Sequence, residues 1–229
     1  MKSTMKAGSA LLATVLGISV LLASCGGTKS AAALNGRVLH VADLPDMRLR
    51  TQSQLVPAAD AFVGALSQGD AVLFKEPQKA VPVLRTDGFV RAVLEDYTGA
   101  GTFAGAFAAE FSSSEKATSA LDAMYQDALQ PCPSDPVCSI QQVFSLNDIP
   151  GSKGQKVTPS RKFGRTFTQY RLLFRVGTTV YGVAIGGSPE SFDPGSVSQS
   201  ESYKAFRAVF GRVKNGPPAG LFAPTPMPS

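Results

Sequence analysis

Few side chains in this sequence could do chemistry, and their arrangement excludes more than it offers. There is a single histidine, His40. Ser–His–Asp and Cys–His relays need an imidazole to carry the proton, so any such arrangement depends on that one residue. It lies in the apolar run Val38-Leu39-His40-Val41, which suits a structural role. Metal sites need clustered imidazoles, thiolates or carboxylates; Glu190 and Asp193 share one loop but are too sparse. Gly99-Ala100-Gly101 has part of the glycine spacing of a phosphate loop, yet no Gly-Lys-Ser/Thr follows and it falls at a hairpin turn. Glu95 and Asp96 are neighbours on a predicted strand and so point to opposite faces, a poor pair for glycoside cleavage. No catalytic residue, metal site or cofactor is therefore expected.

A row of arginines is the more suggestive feature. Arg165, Arg171 and Arg175 fall on alternate positions of a predicted strand, which predicts a solvent-facing basic stripe suited to an anionic surface. The formal charge of the chain is +5, but its distribution says more than the sum. Residues 92–152 hold eight acidic side chains and one basic one, Lys116. Residues 153–189 hold seven basic and no acidic ones. Such asymmetry steers partners unless the two segments pair in the fold. An envelope protein or an anionic wall polymer would suit the basic stripe; nucleic acid is not an expected partner of a chain with so small an excess of charge.

The three cysteines divide between two tasks. Lys2 and Lys6 precede an uncharged stretch, Ala7 to Ala23, rich in Leu, Val and Ile. A transmembrane helix needs about 20 predominantly apolar residues; this shorter run, ending in small residues, has the pattern of an export signal. Its end, Leu22-Ala23-Ser24-Cys25-Gly26, resembles the lipobox of bacterial lipoproteins. That resemblance implies a diacylglycerol on the Cys25 thiol, palmitate among its acyl chains, cleavage just before Cys25 and attachment to the outer side of the cell membrane. Two plainer readings are an ordinary signal cut near Ala23 or Ser24, and an uncleaved anchor helix. Cys132 and Cys138 then form an even pair in an exported chain, which reads as a structural disulfide. The loop between them is short and holds Pro133 and Pro136; closing it contributes roughly 2 kcal/mol by chain entropy. Their spacing is not Cys-x-x-Cys, and no histidine lies near for zinc.

The elements that must position these residues follow from periodicity. Residues 1–24 are the signal, 25–36 a small polar tether, 37–215 one α+β domain, and 216–229 a proline-rich tail expected to be disordered. Arg37–Val41 reads as a short strand and Asp43–Asp46 as a turn. Leu55, Ala58, Ala59, Phe62 and Leu66 recur at helical spacing after a capping Ser53. Val72–Val83 is ambiguous because of Pro77 and Pro82. Phe89–Tyr97 and Phe103–Phe111 alternate about a glycine-rich turn and predict a hairpin with an aromatic face. Ser112 and Glu115 match a capping box ahead of a helix carrying Ala117, Leu121, Met124 and Ala128. Gln142–Phe144 reads as a strand and 147–162 as a polar connection. A second hairpin follows at 165–185, a loop at 186–198, and a last helix bearing Tyr203, Phe206, Val209 and Val213. Hairpin–helix thus occurs twice, at about 88–130 and 165–214, as a duplication would produce. An antiparallel sheet with helices packed on one face would bury both units.

The order of Gly88-Phe89, Phe111-Ser112, Ile149-Pro150-Gly151 and Phe174-Arg175-Val176-Gly177 resembles a group of actinobacterial surface lipoproteins. In plan the domain is also loosely similar to domains of the PsbP and Mog1 kind. These resemblances imply a fold and bring no catalytic residues. The expected function is that of a lipid-anchored binding or interaction module. The alternative is a carrier holding a lipid or other apolar ligand between the Phe103/Phe107/Phe111 face and the helices.

Overall fold

The computed structural model describes residues 38–44, 47–68, 77–129, 140–162, 165–187 and 197–215. A 3₁₀ turn at Val41–Asp43 leads to β1 (Arg48–Val56), α1 (Ala59–Gln68) and α2 (Pro77–Thr86). The hairpin β2 (Phe89–Thr98) and β3 (Thr102–Phe111) follows, then α3 (Ser114–Leu129). Strands β4 (Ile140–Phe144), β5 (Lys153–Lys162), β6 (Arg165–Val176) and β7 (Thr179–Gly187) complete the sheet, and α4 (Gln199–Asn215) closes the domain.

The seven strands form one antiparallel sheet in the order β1-β2-β3-β7-β6-β5-β4. The two predicted hairpins therefore share a sheet, joined where β3 pairs with β7, from Thr102↔Gly187 to Glu110↔Thr179. Large and small residues face each other across its ladders. Phe107 is the register partner of Gly182, Phe103 of Gly186, and Phe144 of Gly154. In each pair a Cβ added to the glycine would fall within the phenylalanine ring. The ring lies flat over the neighbouring backbone, and only glycine leaves it room.

Alternation along the strands splits the core in two. On one face Ala92, Phe107, Ala109, Phe111, Leu173 and Val180 pack against Phe62 and Leu66 of α1, Leu84 of α2, and Ala117, Leu121 and Met124 of α3. Phe62 stacks on Phe89 at 5.3 Å and meets Phe107 edge-on at 5.2 Å; such pairs contribute about 0.5–1.5 kcal/mol beyond area burial. On the other face Val93, Ala106, Tyr170, Leu172, Phe174, Tyr181 and Val183 pack against Phe206, Val209 and Val213 of α4 and against Val38, Leu39 and Leu44.

The α+β class and the antiparallel sheet stand as expected, while the helices are divided between the two faces rather than packed on one. This bears on the apparent duplication. β3 and β7 are antiparallel neighbours, so a two-fold axis relating the hairpins runs through the sheet and preserves its faces. It would put α3 and α4 on the same side, and they lie on opposite sides. The two hairpin–helix units are alike in order and not related by symmetry.

Three local expectations are corrected. The helix expected from Ser53 begins at Ala59, and residues 48–56 pair with β2 as a strand. The polar connection at 147–162 contains the ten-residue strand β5, in which Gln155 is buried where an apolar residue would have marked the period. Val38–Val41 forms no strand; its backbone turns instead, with Asp43 N–H donating to the His40 carbonyl at 2.8 Å. The ambiguous stretch resolves as α2, with Pro77 in its first position, where the missing N–H costs nothing, and Pro82 exposed within it.

Candidate functional site

Antiparallel register sets Asp96, Gly105, Ala184, Arg171 and Gln155 side by side across β2, β3, β7, β6 and β5. Two residues along each strand lie Phe107, Gly182 and Leu173 on one side of this row, and Phe103, Gly186 and Gln169 on the other. All of these face the α1–α3 side. The centre of the row is small, its far end polar, and an aromatic ring flanks it on either side.

The polar end is buried. Arg171 is 9% exposed and Gln155 and Gln169 are 2% exposed. Arg171 Nε donates to Gln169 Oε1 at 2.7 Å, which fixes the plane of the guanidinium. No acidic side chain among the described residues pairs with it, and burial pulls its pKa down to about 10. At neutral pH it remains a cation, and removing such a charge from water costs several kcal/mol. Beside it, neither Gln155 Nε2 nor Gln155 Oε1 has a hydrogen-bond partner among the described residues. A buried polar group left unpaired costs about 1–3 kcal/mol. α3 covers the neighbouring row: Lys153 Nζ, two residues before Gln155, donates to Asp122 Oδ1 at 2.6 Å and lies 5.3 Å from the Tyr125 ring centroid. That contact also joins the acidic and basic halves of the sequence. The cluster supplies several donors and amide acceptors, and no group that titrates near neutral pH. Its chemistry suits hydrogen bonding and not proton transfer.

A second polar cluster lies on the opposite face. Arg212 of α4 grips Asp43 with both terminal nitrogens, one of them at 2.9 Å from Oδ1, and donates to the Val38 carbonyl at 2.8 Å. Both side chains of the pair are 9% exposed. The Tyr97 hydroxyl donates to the Leu39 carbonyl at 2.5 Å and lies 3.1 Å from a carboxylate oxygen of buried Glu95. Burial and the Glu95 charge push the Tyr97 pKa upward and keep its proton in place. Arg212 and Tyr97 are both tied to the 38–44 segment, so the cluster serves as a clasp.

The residues singled out in the sequence fare differently. Cys25, Cys132 and Cys138 lie outside the described residues. Arg165 is on β6, and its side chain also lies outside them. Arg175 is half-buried, and its Nη1 donates to the Gly177 carbonyl at 2.7 Å. The expected solvent-facing stripe is corrected by Arg171, which is interior. Alternation puts the arginines on one side of β6, but it cannot tell that α3 covers that side. His40 donates its backbone N–H to Asp43 Oδ2 at 2.8 Å and belongs to the clasp. Glu95 and Asp96 do point to opposite faces. Phe107 and Phe111, expected as the wall of an apolar cavity in the carrier reading, are fully buried among core side chains. Among the described residues no three His, Cys, Asp or Glu are grouped to hold a metal, and no helix is long and apolar enough to cross a membrane. Sequence reasoning missed the roles of Gln155 and Gln169; the sign available was a glutamine on each of two paired strands beside the middle arginine of the row.

No protein-family model matches the chain, and no curated protein matches it. Among solved structures it is similar to the extracellular domain of PknH from Mycobacterium tuberculosis, with a TM-score of 0.53 and 11% identity. The match covers 80% of this chain and 96% of that domain. At that identity the likeness is one of fold.

Proposed function

We propose that this chain is a non-catalytic, exported binding domain, held on the extracytoplasmic side of the cell membrane by a diacylglycerol on Cys25. The observation that carries the reading is a conjunction: an export signal ending in a lipobox-like Leu22-Ala23-Ser24-Cys25 leads, through a small polar stretch, into a domain whose fold is shared with an extracellular domain. Each buried CH₂ contributes about 0.8 kcal/mol to anchoring, and two or more acyl chains hold a protein where one does not. The binding role is supported by the buried polar cluster around Arg171, whose unpaired groups cost stability that a folding role does not repay.

The test is metabolic labelling of bacteria expressing the full chain with an alkyne-tagged palmitate, followed by fractionation. The native chain is expected to carry the label and to sediment with membranes. Cys25→Ser is expected to lose both while its domain still folds. A native chain without label, or label persisting in the Cys25→Ser variant, would overturn the anchor.

A further inference from the structure

We propose that Arg171, Gln155 and Gln169 form a binding site for a small oxyanion that carries its own hydrogen-bond donor, phosphate-like rather than a bare carboxylate. This rests on the reading of the domain as a binding module and names what it binds.

Three observations converge. Arginine presents five N–H donors in a fixed fork. One of them, Nε–H, is spent on Gln169 Oε1, and no hydrogen bond from the two terminal nitrogens to a described residue is seen; unlike the Gln155 amide atoms, they are not among the buried atoms that lack a partner. Two parallel N–H groups match two oxygens of a carboxylate or phosphate. The charge is also interior, with no described carboxylate against it. A buried cation without a counter-ion is unstable relative to an apolar side chain of the same size, so an anion from outside is the missing half of the pair.

The third observation sets the ligand's second property. Gln155 stands directly across the β5–β6 ladder from Arg171. Both ends of its amide are unpartnered, the oxygen as well as the nitrogen. A bare carboxylate could satisfy Nε2 and would leave Oε1 unmet, because it has no proton to give. Inorganic phosphate, whose mono- and dianion coexist near neutral pH, offers oxygens together with an O–H and satisfies the pair, whereas a phosphomonoester has largely lost that proton. The middle of the row, Gly105 and Ala184, puts the least side-chain bulk next to Arg171.

The experiment is a thermal melt of the full chain in detergent, titrated with inorganic phosphate, with acetate as the donor-free anion and sodium chloride to match ionic strength. A ligand at about ten times its Kd raises Tm by about 4 °C in a domain of this size. Phosphate is expected to give a saturating rise of that order, acetate a smaller one and chloride none. Arg171→Met should abolish the phosphate response. Gln155→Leu, which replaces an unpartnered amide by an apolar side chain of similar size, should melt higher than native without phosphate and respond less to it. If Arg171→Met does not fold, the Gln155→Leu titration decides alone, and an undiminished response there sinks the site. No rise in the native chain, or an equal rise in Arg171→Met, would mean that the guanidinium is neutralised from within the chain. Equal shifts with acetate and phosphate would overturn the requirement for a donor. None of these readouts depends on acylation, so failure here and failure of the membrane anchor are separate results.

Discussion

Arg212 and Arg171 are both buried arginines, and what surrounds each decides what it does. Arg212 has a carboxylate in bidentate contact and a carbonyl beside it, and it serves to hold the 38–44 segment. Among the described residues Arg171 has only the Gln169 amide oxygen, and the proposed anion would meet its charge. The Arg212 cluster has a consequence in solution, because His40 sits within it. Burial lowers the His40 pKa from its ordinary 6.5, the nearby Arg212 charge lowers it further, and Asp43 offsets part of this. As pH falls through about 6.5, the unfolded chain takes up a proton that the folded chain still refuses. Stability should therefore be level above about pH 7.5, fall as pH drops through the unfolded value, and stop falling through this residue once pH is below the folded value. Because His40 is the only histidine, the assignment is direct. Urea melts between pH 5 and 8 should show that slope in the native chain, and His40→Gln should flatten it. An unchanged slope in the variant would place its origin elsewhere. Asp96, raised by burial, acts with the opposite sign and at the acid end.

Among the elements, the pairing of β3 with β7 is what makes one domain of two hairpins, and it is held by close approach. Phe107 lies across Gly182 and is itself gripped by Phe62. Gly182→Ala should cost about 1–3 kcal/mol by overpacking, read as a drop in the denaturation midpoint without a change in slope. Gly64→Ala, on α1 where a Cβ meets open space, should stabilise slightly by helix propensity. Equal effects at the two positions would refute the steric account. The hairpins and α3 were legible because their residues alternate or repeat every three to four places against a real core. β1 was not, since Leu55 extends the helical period of Ala58, Ala59 and Phe62 backwards across Pro57, and Pro57 in fact separates the two elements. β5 was not, because polar Gln155 occupies an inward position. Caps shifted by one turn of logic. Ser113, not Ser112, accepts from the Lys116 N–H at 3.2 Å. The reciprocal box lies instead at Ser198 and Glu201, where Ser198 Oγ accepts from the Glu201 N–H at 3.2 Å and Glu201 Oε2 accepts from the Ser198 N–H at 2.9 Å. The bonds from Ser198 hold the Glu201 carboxyl below its ordinary pKa. The Arg171 site was half legible: the arginine stood out, but its burial depends on which helix covers which face, and local periodicity carries no record of that.

For the whole molecule, the sheet separates the segment at Val38–Leu44 from the Arg171 cluster. The chain enters at Val38–Leu44, which packs with α4 on one face, and the Arg171 cluster lies on the other, beneath the α1–α3 side. On the proposed anchor at Cys25, any pull on the domain would arrive first at the Val38–Leu44 segment. The entry segment must then bear that load, and its contacts are sufficient to do so. Val38, Leu39, Leu44 and Met47 are all buried, and a fully buried side chain of this kind contributes about 1.5–3 kcal/mol. Removing Asp43 and the Val38 carbonyl would also strand Arg212 as an unpaired interior cation, a loss of about 3–5 kcal/mol by itself. Against a total stability of about 5–15 kcal/mol, the sum removes most or all of the margin. A chain of residues 30–229 should therefore unfold in one cooperative transition at the midpoint of the full-length protein. A chain of residues 48–229 should show no cooperative transition, although it retains all seven strands and four helices. Matching melts from the two chains would mean that residues 38–47 merely lie against the α4 face, and that force on the tether is borne somewhere other than the Arg212–Asp43 clasp.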